Sequence, residues 1–264
     1  MTLDQGQRDG INAKLDRADE HMRSLTDEIT TYFESEPHTY RTHVDLEAGT
    51  YRVTVAITRL PPIRLAIICG DFAHNLRAAL DHSVYGLVSA PTRKTAFPIY
   101  RCEEDFTSWV ETPARKGKPG PLTGLDPDGV LFARIVACQP FRHVDGPDDH
   151  PLEALQQLSN ADKHRTILTS VATHRVAGHD QPPDIDFTGT NLEFTGRAVF
   201  TYDTPLQDGD EFLRGEFRAT GPQPRPELKG NLLTDLAFGD LLTTTHGLNT
   251  TRLAVRAICE QLVP

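Results

Sequence analysis

The sequence predicts an α+β protein, an antiparallel helical bundle packed with an antiparallel β-sheet. Three observations lead there. Apolar residues recur at helical spacing near the N-terminus, after residue 62 and at the C-terminus. Strict alternation governs residues 40–57. The β-prone runs between 166 and 238 follow one another too closely to leave room for the crossover helices of a parallel sheet.

The elements follow in order. Ile11, Leu15, Ala18, Met22, Leu25, Ile29 and Tyr32 alternate spacings of four and three, so residues 8–34 read as one long amphipathic helix. Tyr40, Thr42, Val44 and Leu46, then Tyr51, Val53, Val55 and Ile57, give a hairpin over 38–58 with its turn at Ala48-Gly49, and His43 falls on its solvated face. Pro61-Pro62 stops the hairpin and opens a helix over 62–89, which Pro91 ends. Thr112–Gly129, rich in Gly and Pro, reads as a long surface loop carrying Arg115, Lys116 and Lys118, with Phe106 and Trp109 packed beneath it. Helices are expected over Val130–Cys138, Pro151–Ala161 and Leu241–Leu262. Strands are expected over Thr166–Thr173, Ala198–Tyr202, Glu211–Ala219 and Leu232–Phe238. The expected organisation is a helical bundle with its hairpin over 1–165, a β-rich region over 166–238, and a last helix over 239–264 that returns to the bundle.

Composition bounds the function. Hydrophobic content of 38% and charged content of 24% are those of a globular chain able to bury a large core. No apolar run approaches the roughly 20 residues of a membrane helix, and the first residues lack the pattern of a signal peptide. A cytoplasmic protein without a membrane partner is expected. A net charge of −10 excludes a broad nucleic-acid-binding surface but leaves room for a small basic pocket. Cys69, Cys102, Cys138 and Cys259 are far apart and form no Cys-x-x-Cys pair, so a structural zinc site is not expected.

The candidate site lies on the helix of 62–89. At about 100° per residue, Asp71, His74, Asn75, Ala78, Asp81, His82 and Tyr85 share one face, opposite Phe72, Leu76, Ala79, Leu80, Val84 and Leu87, with Arg77 at the flank. Solvated helix faces are built mainly from Glu, Lys, Gln and Arg, which favour the helix. A face of His, Asp, Asn and Tyr reads instead as a site. Arg77 and His82, separated by four residues, pair a permanent cation with the side chain suited to proton transfer near neutral pH, a combination fit for phosphodiester cleavage. Replacing either is expected to leave folding intact, since neither lies on the apolar face. A second block, Asn160-Ala161-Asp162-Lys163-His164-Arg165, closes a helix before a strand. Its basic residues suit a helix C-terminus, but Asn160, Asp162 and His164 are not explained that way. Both blocks are expected to meet in space. The last helix adds a stripe of His246, Asn249, Arg252 and Arg256. Its arginines are expected to be solvated, while His246 and Asn249 could face the site helix.

The Arg77-x4-His82 motif resembles that of the HEPN superfamily, whose ribonuclease members carry Arg-x4-6-His on a helical bundle. The position after the arginine, often polar in that family, is Ala78 here. The resemblance implies metal-independent RNA cleavage, in toxin or defence settings, at a composite site between two protomers. His82 would be the acid/base and Arg77 the phosphate ligand, with Asn75 and Asp81 as supporting polar groups; on the residues themselves His74 is a further catalytic candidate. From the two polar blocks themselves, rather than from the resemblance, substrate binding is expected of Asp71, Asn75, Tyr85, Asn160, Asp162, Lys163, His164 and Arg165. The pairing of Gly-Asp-x-x-His-Asn-Leu-Arg with Asn-x-Asp-Lys-His-Arg also resembles an uncharacterised bacterial family.

Two other readings compete. A non-catalytic module would bind a nucleotide, another anion or a partner protein. A metal-dependent hydrolase would draw ligands from Asp71, His74, Asn75, His82, Asp162 and His164. The helix lacks His-Glu-x-x-His, and Arg77 would repel a dication, so no metal ligand or cofactor is assigned. Expected partners are RNA or a nucleotide, a second copy of the chain, or a protein.

Overall fold

The computed structural model describes residues 3–89, 91–115, 120–164, 167–173, 191–195, 199–200, 205–221, 234–239 and 243–263. Its order is α1 (Gln5–Glu34), β1 (His38–Asp45), β2 (Thr50–Ile57), α2 (Ile63–Tyr85), α3 (Glu103–Arg115), α4 (Val130–Ala137), α5 (Pro151–His164), β3 (Thr169–Thr173), β4 (Leu192–Phe194), β5 (Val199–Phe200), β6 (Glu211–Ala219), β7 (Thr234–Phe238), β8 (Thr243–Thr244) and α6 (Thr245–Leu262). Helices and antiparallel strands occupy separate stretches, and the fold is α+β. No helix of the described residues is long and apolar enough to cross a membrane.

Two compact units are built from interleaved segments. Residues 1–27, 64–168 and 238–264 make a helical unit, and residues 28–63 with 169–237 make a sheet unit. The hairpin thus belongs with the later strands.

In the helical unit α1 begins earlier than its apolar seam suggests. The Asp4 carboxylate accepts from the Gln7 amide at 2.8 Å, and the Gln7 side chain accepts from the Asp4 amide at 3.0 Å. This reciprocal capping box satisfies two donors that a helix start would leave open. Ile11, Leu15, Ala18 and Leu25 are buried as the seam requires. Contacts fix a four-helix arrangement. Lys14 of α1 meets Asn75 of α2, and Gly86, just past α2, faces Leu3. Gln156 of α5 meets Arg77, and Asp162 meets Gly70. Arg252 and Arg256 of α6 pair with Asp19 of α1. The α6 helix also meets α5 where Thr251 donates to the Pro151 carbonyl. Each adjacent pair runs antiparallel. Phe72, Leu76, Leu80, Leu152, Leu155 and Val255 form the interior.

Helix α3 extends into the stretch expected as a loop, and Thr112–Arg115 are its last turn. Its three acidic residues, Glu103, Glu104 and Asp105, stand where negative charge favours a helix start. Phe106 and Trp109 do pack together, with ring centroids 6.4 Å apart, in a cluster that also takes in Tyr100, Phe132 and Phe141. Lys116 and Lys118 lie outside the described residues.

Helix α5 starts at Pro151, and the preceding His150 caps it by accepting the Leu152 amide on Nδ1 at 3.1 Å. Burial, reinforced by the neighbouring His143 ring 5.4 Å away, lowers the His150 pKa to about 4. Asp148, Glu153 and Arg101 join in ion pairs in the same region. The neutral imidazole is the form that caps. Unfolded histidine binds a proton near pH 6.5, so the contribution is complete above that pH and is lost as pH falls toward 4. Discounted for a ring only half buried, the loss should be about 1–2 kcal/mol. Urea midpoints at pH 7 and pH 4.5 should differ more for the native chain than for His150→Asn, which keeps a capping acceptor. Equal differences would remove His150 as the cause.

In the sheet unit the hairpin has the expected form, with His38 opposite Ile57 and Asp45 opposite Thr50. The Asp45 carboxylate accepts the amides of Glu47 and Ala48 in the turn. Strand β6 pairs antiparallel with β2, so β2 is internal and Tyr51, Val53, Val55 and Ala56 are buried. Strands β4 and β5 both pair with β6, and β3 lies beside β7 in a second small sheet. The three-residue β4 carries too little pattern to be read from sequence.

Candidate functional site

Helix α2 presents three strips. At about 100° per residue, Asp71, Asn75, Ala78 and His82 fall in one row, Gly70 and Arg77 on a flank, and His74, Asp81 and Tyr85 between them. The row meets α1. Lys14 Nζ donates to Asn75 Oδ1 at 3.3 Å, and Asn75 Nδ2 donates to the Asp71 carbonyl at 2.8 Å. His21 of α1 stands near enough to Asp71 to feel its charge. Burial and the Arg17 charge hold the His21 imidazole below its ordinary range, and Asp71 and Glu20 oppose that shift.

The flank meets α5. A Cβ on Gly70 would sit 2.1 Å from Asp162 Oδ1, so the absence of a side chain there lets the Asp162 carboxylate lie directly on α2. The second block therefore reaches the first at this point. Asp162 also raises the Cys69 pKa, second to burial. Asn160, Lys163 and His164 are exposed beside it, and Arg165 lies outside the described residues.

Arg77 is committed elsewhere. Its Nη2 donates to the Phe97 carbonyl at 2.7 Å and lies 3.0 Å from Asp81 Oδ1, Nε donates to Asp81 Oδ2 at 3.3 Å, and Nη1 reaches Gln156 Oε1 at 3.4 Å. Asp81 Oδ1 accepts the Phe97 amide at 2.9 Å. The pair thus closes both backbone groups of Phe97, and only 16% of the Arg77 side chain is exposed. By contrast Asp71, His74 and His82 are exposed, and Tyr85 is 50% exposed.

The arginines expected to be solvated on α6 are ion-paired instead. Arg252 binds Asp19 at 2.9 Å and Asn249 at 2.9 Å, and Arg256 binds Asp19 at 2.8 Å. Asn249 faces this pair, and His246 is exposed. A shallow cleft of about 470 Å³ opens there, lined in part by Met22, Arg23 and Asn249.

No protein-family model, curated protein or solved structure matches this chain. The chemistry rests on the side chains themselves. Among the described residues, no three His, Cys, Asp or Glu side chains are arranged to hold a metal ion. Cys69 and Cys259 are buried thiols, and burial raises Cys138 to about 12 and Cys259 to about 11, so none of the three is a ready nucleophile. What the exposed face offers is two imidazoles, a phenol ring, the Asp71 carboxylate and, from α1, an ammonium. Lys14 and His21 escaped sequence reasoning because nothing in a helix's polar side says which neighbour it will meet.

Proposed function

We propose that the helical unit binds a nucleotide along the exposed face of α2 without hydrolysing it. The carrying observation is that Arg77 is spent on Phe97 and Asp81, while His74, His82 and Tyr85 stay open to solvent on the same helix. A phosphodiester-cleaving pair needs its cation at the phosphate in the transition state. A binding face needs only a ring for the base and polar groups along the sugar and phosphate. Tyr85 is the stacking ring, and its loss should weaken binding about tenfold, within the range of one base–aromatic stack. Fluorescence titration of the native chain and Tyr85→Ala with labelled nucleotides checks this. Equal affinities would remove Tyr85 from the site.

The resemblance to HEPN ribonucleases supports a second reading, and the exposure of His82 favours it. There the ribose 2′-hydroxyl attacks phosphorus, His82 moves the proton, and the 5′-oxygen leaves, so the product ends in a cyclic phosphate. Purified protein with mixed RNA in excess EDTA decides between the two readings. Cleavage that His82→Ala lowers 100-fold or more, the scale of a general acid–base, would establish the ribonuclease. Loss of cleavage in EDTA alone would point to a metal hydrolase. No cleavage, with nucleotide retained, is the result expected here.

A further inference from the structure

We infer that Lys14 of α1 is the cation that holds the ligand's phosphates, making the α2 face selective for nucleoside di- and triphosphates. This rests on the nucleotide reading above. The first observation is how Lys14 is paired. Arg17 meets Glu20, Arg77 meets Asp81, Arg101 meets Asp148 and Glu153, and Arg252 and Arg256 meet Asp19. Arg8, Arg23 and Arg134 donate to backbone carbonyls, whereas Lys14 is set on a side-chain amide oxygen, Asn75 Oδ1, with no ion pair to a carboxylate among the described residues. In a chain of net charge −10, a half-buried lysine set on a neutral partner has no carboxylate to give up before it meets an anion.

The second observation is that its partner is fixed. Asn75 is 7% exposed, and its Nδ2 is bound to the Asp71 carbonyl, which turns Oδ1 toward Lys14. An ammonium has three donors. One is held by Asn75, which orders the lysine stem before a ligand arrives and leaves two for phosphate oxygens. Asn75 is thus a positioning residue, and Lys14 the contact.

The third is spacing. From Asn75 to Tyr85 is ten residues of one helix, or about 15 Å. That span suits a base on Tyr85 with a diphosphate or triphosphate reaching Lys14, and a monophosphate would fall short. His82, between them, faces the sugar and first phosphate.

Calorimetric titration of the whole chain in EDTA, with ATP, GTP, ADP, AMP and adenosine, tests this. The native chain should bind triphosphate at least tenfold more tightly than monophosphate, and added salt should narrow that gap. Lys14→Met should abolish the gap, and Lys14→Arg should keep most of it. Asn75→Asp gives Lys14 a carboxylate and should also close the gap, although the lysine remains. Thermal melts establish that each variant is folded. A gap unchanged in folded Lys14→Met overturns the role of Lys14 and leaves the nucleotide site standing. If the native chain binds none of the five ligands, the nucleotide reading falls and Lys14 with it.

Discussion

Arg77→Ala is expected to lower the stability of the helical unit by about 2–4 kcal/mol, the range for breaking a partly buried, hydrogen-bonded ion pair. The contacts reverse the sequence-based expectation that folding would not notice this change. Arg77 donates to the Phe97 carbonyl while Asp81 accepts the Phe97 amide, so two side chains one turn apart clasp a single peptide segment. That segment includes Thr95, Phe97, Pro98 and Ile99, all buried, and Phe97 is 1% exposed. Without the guanidinium, the Phe97 carbonyl loses its donor, and Asp81 keeps its charge without its partner. Arg77→Lys should recover about half of the loss, because a single ammonium cannot reach both acceptors in the planar fork of a guanidinium. Urea denaturation of the two variants gives the comparison. A loss below about 0.5 kcal/mol, the usual effect of a surface change, would return Arg77 to solvent and restore it as a candidate phosphate ligand.

Gly215→Ala should destabilise the sheet unit by about 1–3 kcal/mol, the cost of overpacking a filled interior. Gly215 lies opposite Tyr51 in the β2–β6 pairing, and the Tyr51 ring covers it. A new Cβ would come within 2.4 Å of Tyr51 Cε1 and 2.6 Å of its hydroxyl oxygen. Tyr51 is 2% exposed, so the ring has nowhere to go. Removing the ring should relieve the clash. In a double-mutant cycle, Tyr51→Leu combined with Gly215→Ala should cost less than the sum of the single changes by at least 1 kcal/mol, within the coupling range of touching residues. Additive losses would mean that the glycine is kept for some other reason.

Much of this architecture was legible because it is written in period. The α1 seam, the hairpin and the polar face of α2 each follow from side-chain spacing within one element. The capping box at Asp4 and Gln7 was equally local and could have been read as Asp-x-x-Gln before an apolar run. Helix α3 carries a charge signal at its start, but its last turn runs into a glycine- and proline-rich stretch whose composition is that of a loop. Arg77 was illegible for a different reason. Its partner is twenty residues away in an irregular segment, and the bond is to a backbone carbonyl, which any residue supplies. Lys14 was hidden in the same way, since only the assembled bundle sets it beside an asparagine sixty-one positions on.

The clasp of Arg252 on Asp19 joins residues 233 positions apart. During synthesis at roughly 5–20 residues per second, α1 leaves the ribosome on the order of ten seconds or more before α6 exists to pair with it. Throughout that interval its Leu15, Ala18 and Leu25 seam has no α6 beside it. Such a protein is expected to depend on a holding chaperone more than a bundle of sequential helices would, and to be most vulnerable to proteases as a nascent chain.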